Sequence, residues 1–136
     1  MAKRILIIDD DADLVQSIQA VLQAHGYGVE SARNGTEGLA KIAADKPDLI
    51  VLDVMMDSDT EGFNVAYKLE ADPATRRIPI ILLTGFMDHM ADKRDSFAVL
   101  EGREWPAVKL MPKPVNLAQL HAAVAQLLSE AQAVVA

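Results

Sequence analysis

A chain of 136 residues with 51% hydrophobic content and no cysteine is long enough for one compact core, and it excludes both a disulfide framework and thiolate metal sites. The formal net charge of −7, with the 13 Lys and Arg dispersed, disfavours a nucleic-acid surface, because neutralising phosphates needs massed cations. No run approaches the roughly 20 apolar residues of a membrane span, and Met1-Ala2-Lys3-Arg4 opens no signal peptide, so the expectation is a cytoplasmic protein without membrane insertion.

The first element is the apolar run Arg4-Ile5-Leu6-Ile7-Ile8, of strand length, which closes on Asp9 and Asp10. Asp11 or Asp13 then supplies an N-cap, Leu14, Ile18, Val21 and Leu22 share one helical face, and Gly26 marks the stop. A second strand is expected near residues 28 to 32 and a second helix from about Gly35 to Asp45. The third strand, near 48 to 53, ends on Asp53, and its helix, from about Gly62 to Ala71, stops before Asp72-Pro73. The fourth strand, near 79 to 83, is followed by Thr84, and a fourth helix falls somewhere within Met87 to Leu100. The fifth strand, near 107 to 111, precedes Lys113, and the last helix carries Leu117, Leu120, Val124 and Leu127 on one stripe. Ala131 to Ala136 reads as a short fraying tail, leaving one domain over 1–136 with its core at about 4–129.

Five strand-helix alternations point to a doubly wound parallel sheet covered on both faces, with five helices and the strand order 2-1-3-4-5. That order sets strands 1 and 3 side by side, so Asp9, Asp10 and Asp53 converge at the topological switch point, where open α/β sheets bind ligands. It also makes strand 5 an edge, where the neighbouring Pro106 and Pro112 are tolerated because an edge needs fewer ladder donors.

A lone carboxylate closing a buried strand is costly without partners, and Asp53 has candidates in Asp9, Asp10, Thr84 and Lys113, each at a strand's carboxyl end. No Gly-x-Gly-x-x-Gly follows strand 1; the turn is Asp9-Asp10-Asp11, which attracts cations rather than nucleotide phosphates. Oxygen ligands without His or Cys suit a hard ion, and an open site with few carboxylates suits Mg²⁺ better than a closed Ca²⁺ cage. Without metal, like-charge crowding should raise the carboxylates' affinity for protons.

Ile7-Ile8-Asp9-Asp10-Asp11, Val51-Leu52-Asp53-Val54-Met55, Leu82-Leu83-Thr84-Gly85 and Lys113-Pro114-Val115 together resemble the receiver domains of bacterial two-component response regulators. The resemblance spans residues 4 to about 129 and implies a flavodoxin-like, CheY-like fold. It implies that Asp53 is the phosphoacceptor, taking a phosphoryl group from a sensor histidine kinase or a histidine phosphotransferase. It further implies Mg²⁺ bound by Asp10, Asp53 and the Met55 carbonyl, with Asp9 acting largely through water. Lys113 would pair with a phosphoryl oxygen, Thr84 would hydrogen-bond another, and Gly85 would leave room for the group. The Lys113-Pro114 bond is commonly cis in the family. Output would be a shifted two-state equilibrium that changes affinity for a downstream protein, and a chain ending just after its last helix reads as a stand-alone receiver rather than an enzyme.

Several positions depart from the family. The usual switch aromatic is replaced by Leu110, and neither Phe86 nor Trp105 is assigned that role. The segment from Thr84 to Lys113 is longer than usual around Met87 to Trp105, which is expected to alter partner specificity. Met55 and Phe86 occupy positions that control water access in the family; being bulky and apolar, they imply slow acyl-phosphate decay. Asp57, Asp59, Glu61 and Gly62 match the start of a calcium loop, but its closing acidic position is Lys68, so this stretch reads as a solvated acidic turn. His25, His89 and His121 lack metal-ligand spacing and read as surface or capping residues. Two other classes of function remain beside the receiver: a phosphorylation-independent receiver-like adaptor, and a Mg²⁺-dependent phosphatase or phosphotransferase acting on small molecules.

Overall fold

The structure, a computed structural model, describes residues 2–53, 61–84 and 108–135. Five parallel strands, β1 (Arg4–Ile8), β2 (Gly28–Ala32), β3 (Leu49–Asp53), β4 (Ile80–Thr84) and β5 (Val108–Pro112), make one sheet in the order β2-β1-β3-β4-β5. Among the described residues the helices are α1 (Ala12–Ala24), α2 (Gly35–Ala44), α3 (Glu61–Ala71) and α4 (Leu117–Val135). The helix expected within 87–100 lies outside the described residues, so four helices rather than five are observed, and α4 is the last of the sequence.

Alternation along the three central strands builds two cores. Leu6, Ile8, Ile50, Leu52, Ile80 and Leu82 point to one face, beneath α2 and α3. Ile5, Ile7, Leu49, Val51, Ile81 and Leu83 point to the other, beneath α1 and α4. Both faces are covered, which is why these strands read as unbroken apolar runs rather than alternating ones. The edge strand β2 is only partly buried over most of its length.

Local chemistry sets the helix ends. Asp11, rather than Asp13, caps α1, its carboxylate accepting from the Asp13 and Leu14 N–H groups. The C-terminus closes with Tyr27 N–H on the Leu22 carbonyl and Gly26 N–H on that of Gln23, and Gly26 takes a φ of 90°, which only glycine adopts without strain. Asn34 caps α2 by accepting from Glu37 N–H at 2.8 Å.

Boundaries differ from the sequence reading by one residue at several ends. Asp48 stands before β3 and takes the Arg4 N–H on its carboxylate at 2.8 Å, so it ties the strand's start to β1. β4 begins at Ile80 rather than Pro79, and β5 ends at Pro112, opposite Thr84. The tail expected to fray from Ala131 instead continues α4 to Val135, as an Ala- and Val-rich stretch without Gly or Pro permits.

Candidate functional site

The β1, β3 and β4 ends and the turn after β5 meet at the carboxyl edge of the sheet. Register places Ile8 beside Leu52 and Asp53 beside Leu83, so Asp9 and Asp53 fall at one level, with Thr84 one residue further along β4. The Asp9 N–H extends the ladder by one bond to the Ala32 carbonyl, 3.0 Å away. Its side chain is held as firmly, one oxygen accepting the Asp11 N–H at 2.9 Å.

Asp9 and Asp53 are each 2% exposed, while Asp10 is open to solvent. Carboxylate oxygens of all three can lie within 4.8 Å of one another. Lys113 reaches in from the turn after β5, its Nζ 3.1 Å from Asp53 Oδ2 and 3.4 Å from Asp9 Oδ2. The peptide between Lys113 and Pro114 is cis.

One ammonium facing two buried carboxylates leaves negative charge in excess. Burial is the main reason that the Asp9 carboxyl rises from 3.8 to about 6; the Asp11 N–H opposes the rise and the Asp53 charge adds to it. Burial also works against the Lys113 charge, but Asp53 and Asp9 outweigh it and raise the ammonium's pKa. The donor set, carboxylate oxygens with one member exposed and no His or Cys, fits a hard divalent cation retaining water. A cation there would relieve the crowding that pushes Asp9 upward.

The structure thus brings together four of the expected side chains, Asp9, Asp10, Asp53 and Lys113, with Thr84 ending the adjacent strand. Met55, Gly85, Phe86 and Trp105 lie outside the described residues, as does His89 and most of the acidic turn. Leu110 sits in β5 opposite Leu82.

Three features were not legible beforehand. Asp11 contributes through its backbone, locking Asp9 while its side chain starts α1; the Asp triplet hinted at charge but not at this division of labour. Beside the cluster, Asp11, Leu14, Ser17, Lys113, Pro114, Val115 and Leu117 line a groove of about 560 Å³. His25 and His121 are also joined, their rings stacked 3.6 Å apart across α1 and α4, and His25 Nδ1 lies 2.9 Å from the Val21 carbonyl. His25 is exposed and caps α1, as expected, whereas His121 is half-buried within α4, and spacing along the chain did not suggest the pair.

An open doubly wound α/β domain with a carboxylate cluster and a lysine at its switch point belongs to the CheY-like class of the flavodoxin-like folds. Residues 5–125 match the family model described as response regulator receiver domain, and the chain belongs to that family. It is 39% identical over 127 residues to the response regulator PleD of Caulobacter vibrioides, covering 93% of this chain and 26% of PleD. It is 37% identical over 129 residues to the response regulator MprA of Mycobacterium bovis, covering 94% of this chain and 51% of MprA. The chain therefore spans about a quarter to a half of these relatives.

Among solved structures, a CheY-like receiver domain protein from Methanospirillum hungatei superposes with a TM-score of 0.81 at 30% identity, covering 97% of this chain and 98% of that one. The chemotaxis protein CheY4 of Vibrio cholerae gives 0.77 at 28%, covering 93% and 99%. Receiver domains are phosphoacceptor modules of two-component signalling rather than enzymes in the usual sense, and they bind Mg²⁺ at acidic clusters such as the one here. Among the described residues no helix is long and apolar enough to cross a membrane.

Proposed function

We propose that Asp53 accepts a phosphoryl group from a phosphohistidine on a sensor histidine kinase or histidine phosphotransferase, and that the resulting acyl phosphate changes the domain's affinity for a downstream protein. The observation that carries this reading is the placement of Lys113 Nζ, 3.1 Å from a carboxylate that is itself only 2% exposed. A strand-end Asp with a purely structural role would not need an ammonium delivered from two strands away.

In the transfer, a carboxylate oxygen of Asp53 forms the new P–O bond in line as the P–N bond breaks and its electron pair returns to the imidazole nitrogen. Lys113, already beside that carboxylate, exchanges this partner for a phosphoryl oxygen and offsets the added charge. Thr84, at the end of the neighbouring strand, donates a hydrogen bond to another phosphoryl oxygen. Asp9, Asp10 and Asp53, with the Met55 carbonyl, would hold Mg²⁺, which would supply positive charge to offset the charge gathered at the site. Burial of Asp53 limits the water that can attack the acyl phosphate.

The test is intact-mass measurement after incubation with Mg²⁺ and acetyl phosphate or phosphoramidate. A gain of one phosphoryl mass in the wild type that disappears in Asp53→Asn is the expected result. An equal gain in both would move the acceptor elsewhere.

A further inference from the structure

The carboxyl edge of the sheet carries a second cation besides Lys113. Among the described residues, Asp9, Asp10 and Asp11 follow β1, Arg33 and Asn34 follow β2, and Lys113 follows β5; no other described Lys or Arg follows a strand. In the order β2-β1-β3-β4-β5 the two cations stand at opposite ends of the row, with the carboxylates between them.

The two are engaged differently. Lys113 is committed to Asp53 and Asp9, at 3.1 and 3.4 Å. Arg33 is exposed, and its guanidinium makes no ion pair with any described residue. Its backbone is nevertheless fixed. The Arg33 N–H donates to the Glu37 carboxylate at 3.2 Å, and the charge of Glu37 is met by Lys41 at 3.7 Å. One residue earlier, Ala32 pairs with Ile8 and its carbonyl takes the Asp9 N–H at 3.0 Å, so the Arg33 backbone begins beside Asp9. The result is a cation anchored at the rim of the site and left uncommitted.

Such a charge acts in two opposite directions. Asp9, Asp10, Asp11, Asp13 and Asp53 make this edge acidic, in a chain of net charge −7. A divalent cation is drawn to that field, whereas a phosphoryl donor, itself an anion, is repelled by it. Two strand spacings of about 4.8 Å separate β2 from β3, so Arg33 acts on the Asp53 site over roughly 10 Å, close to one Debye length at about 0.1 M salt. Over that range the interaction is felt in dilute buffer and screened in concentrated salt.

We infer that Arg33 is a steering residue for phosphoryl transfer, which eases the approach of a small anionic phosphodonor to Asp53 while weakening the binding of Mg²⁺. The donor half rests on Asp53 being the acceptor; the Mg²⁺ half does not. The two effects have opposite signs because donor and metal carry opposite charges. A residue that merely shaped the start of α2 would move both the same way.

The test measures phosphoryl uptake and metal binding in wild type, Arg33→Glu, Arg33→Gln and Arg33→Lys. Uptake is followed by intact mass at saturating Mg²⁺, from acetyl phosphate, a dianion near neutral pH, and from phosphoramidate, a monoanion. Mg²⁺ binding alone is followed by calorimetry. At about 0.03 M ionic strength, Arg33→Glu should take up the phosphoryl group of acetyl phosphate at least about threefold more slowly and bind Mg²⁺ about threefold more tightly. Arg33→Gln should fall between, Arg33→Lys should match the wild type, and the loss with phosphoramidate should be smaller. Both differences should vanish at about 0.5 M salt. Because Arg33 is exposed, all three variants should keep the fold, which circular dichroism and thermal melting check. Uptake and Mg²⁺ affinity falling together, or a loss of uptake that salt leaves intact, would overturn the inference. A wild type labelled by neither donor would fail the acceptor reading and the donor half with it; a labelled wild type matched by Arg33→Glu would fail the steering role alone.

Discussion

Replacing Asp9 by Asn should stabilise the metal-free protein, although it removes a side chain from the centre of the site. The carboxyl of Asp9 sits at about 6 against 3.8 when unperturbed, chiefly because burial disfavours its charge. The native state therefore binds this proton more tightly than the unfolded chain does. Between those two values the native state holds more protons, so stability falls as pH rises through the window. The penalty is complete above about pH 6 and absent below about pH 4. A difference of about 2 pKa units corresponds to about 3 kcal/mol, an upper figure because the site can relax and Asn gives up the 3.4 Å contact with Lys113. Asn carries no charge, and its side-chain oxygen can still accept the Asp11 N–H. Urea unfolding in EDTA at about pH 7.5 should find the variant more stable by about 1–3 kcal/mol, with the gap closing toward about pH 4. Saturating Mg²⁺ should reverse the order, because ligand binding stabilises the wild type through a site that the variant has impaired. A variant less stable than wild type in EDTA at about pH 7.5, or a gap that does not shrink on acidification, would refute the argument that the crowded carboxylates are a stored cost.

Three further outcomes concern particular side chains. Lys113→Gln removes the cation that holds the Asp9 pKa down, so carboxyl NMR titration should place that carboxyl above its wild-type value; a fall would mean that Lys113 does not face it in solution. Gly38→Ala would set a Cβ 2.5 Å from Ile8 Cδ1 and 2.9 Å from Ile8 Cγ1, beneath a fully buried side chain. Overpacking there should outweigh the gain in helix propensity and cost about 1–2 kcal/mol, and an unchanged denaturation midpoint would show that α2 can slide away from β1. The acyl phosphate of the wild type should decay more slowly than that of Met55→Asn or Phe86→Glu, followed by loss of the phosphoryl mass; faster decay in the wild type would remove water exclusion by these side chains as the cause.

Much of the architecture is local information. The runs before Asp9, Asp53 and Thr84 are unbroken because strands covered on both faces need no polar alternation, and this alone identifies them as central strands. Asp11, Gly26 and Asn34 act within a few residues of the helix ends that they define, so those limits could be read within a residue or two. The site was legible in kind for a related reason. Strand-end carboxylates, a hydroxyl and a lysine become one constellation once the strand order is known, and right-handed crossovers leave few orders to choose from.

What tertiary structure decided is everything that depends on distance between remote segments. Lys113 stands 104 positions from Asp9, and only the sheet brings its Nζ within 3.4 Å of that carboxylate. Burial then sets the consequence: Asp9 and Asp10 are neighbours in sequence, yet one is 2% exposed and raised to about 6 while the other faces solvent. The stacking of His25 on His121 has the same origin. Each half is unremarked in its own helix and acquires meaning only when packing on one face of the sheet makes the two halves adjacent.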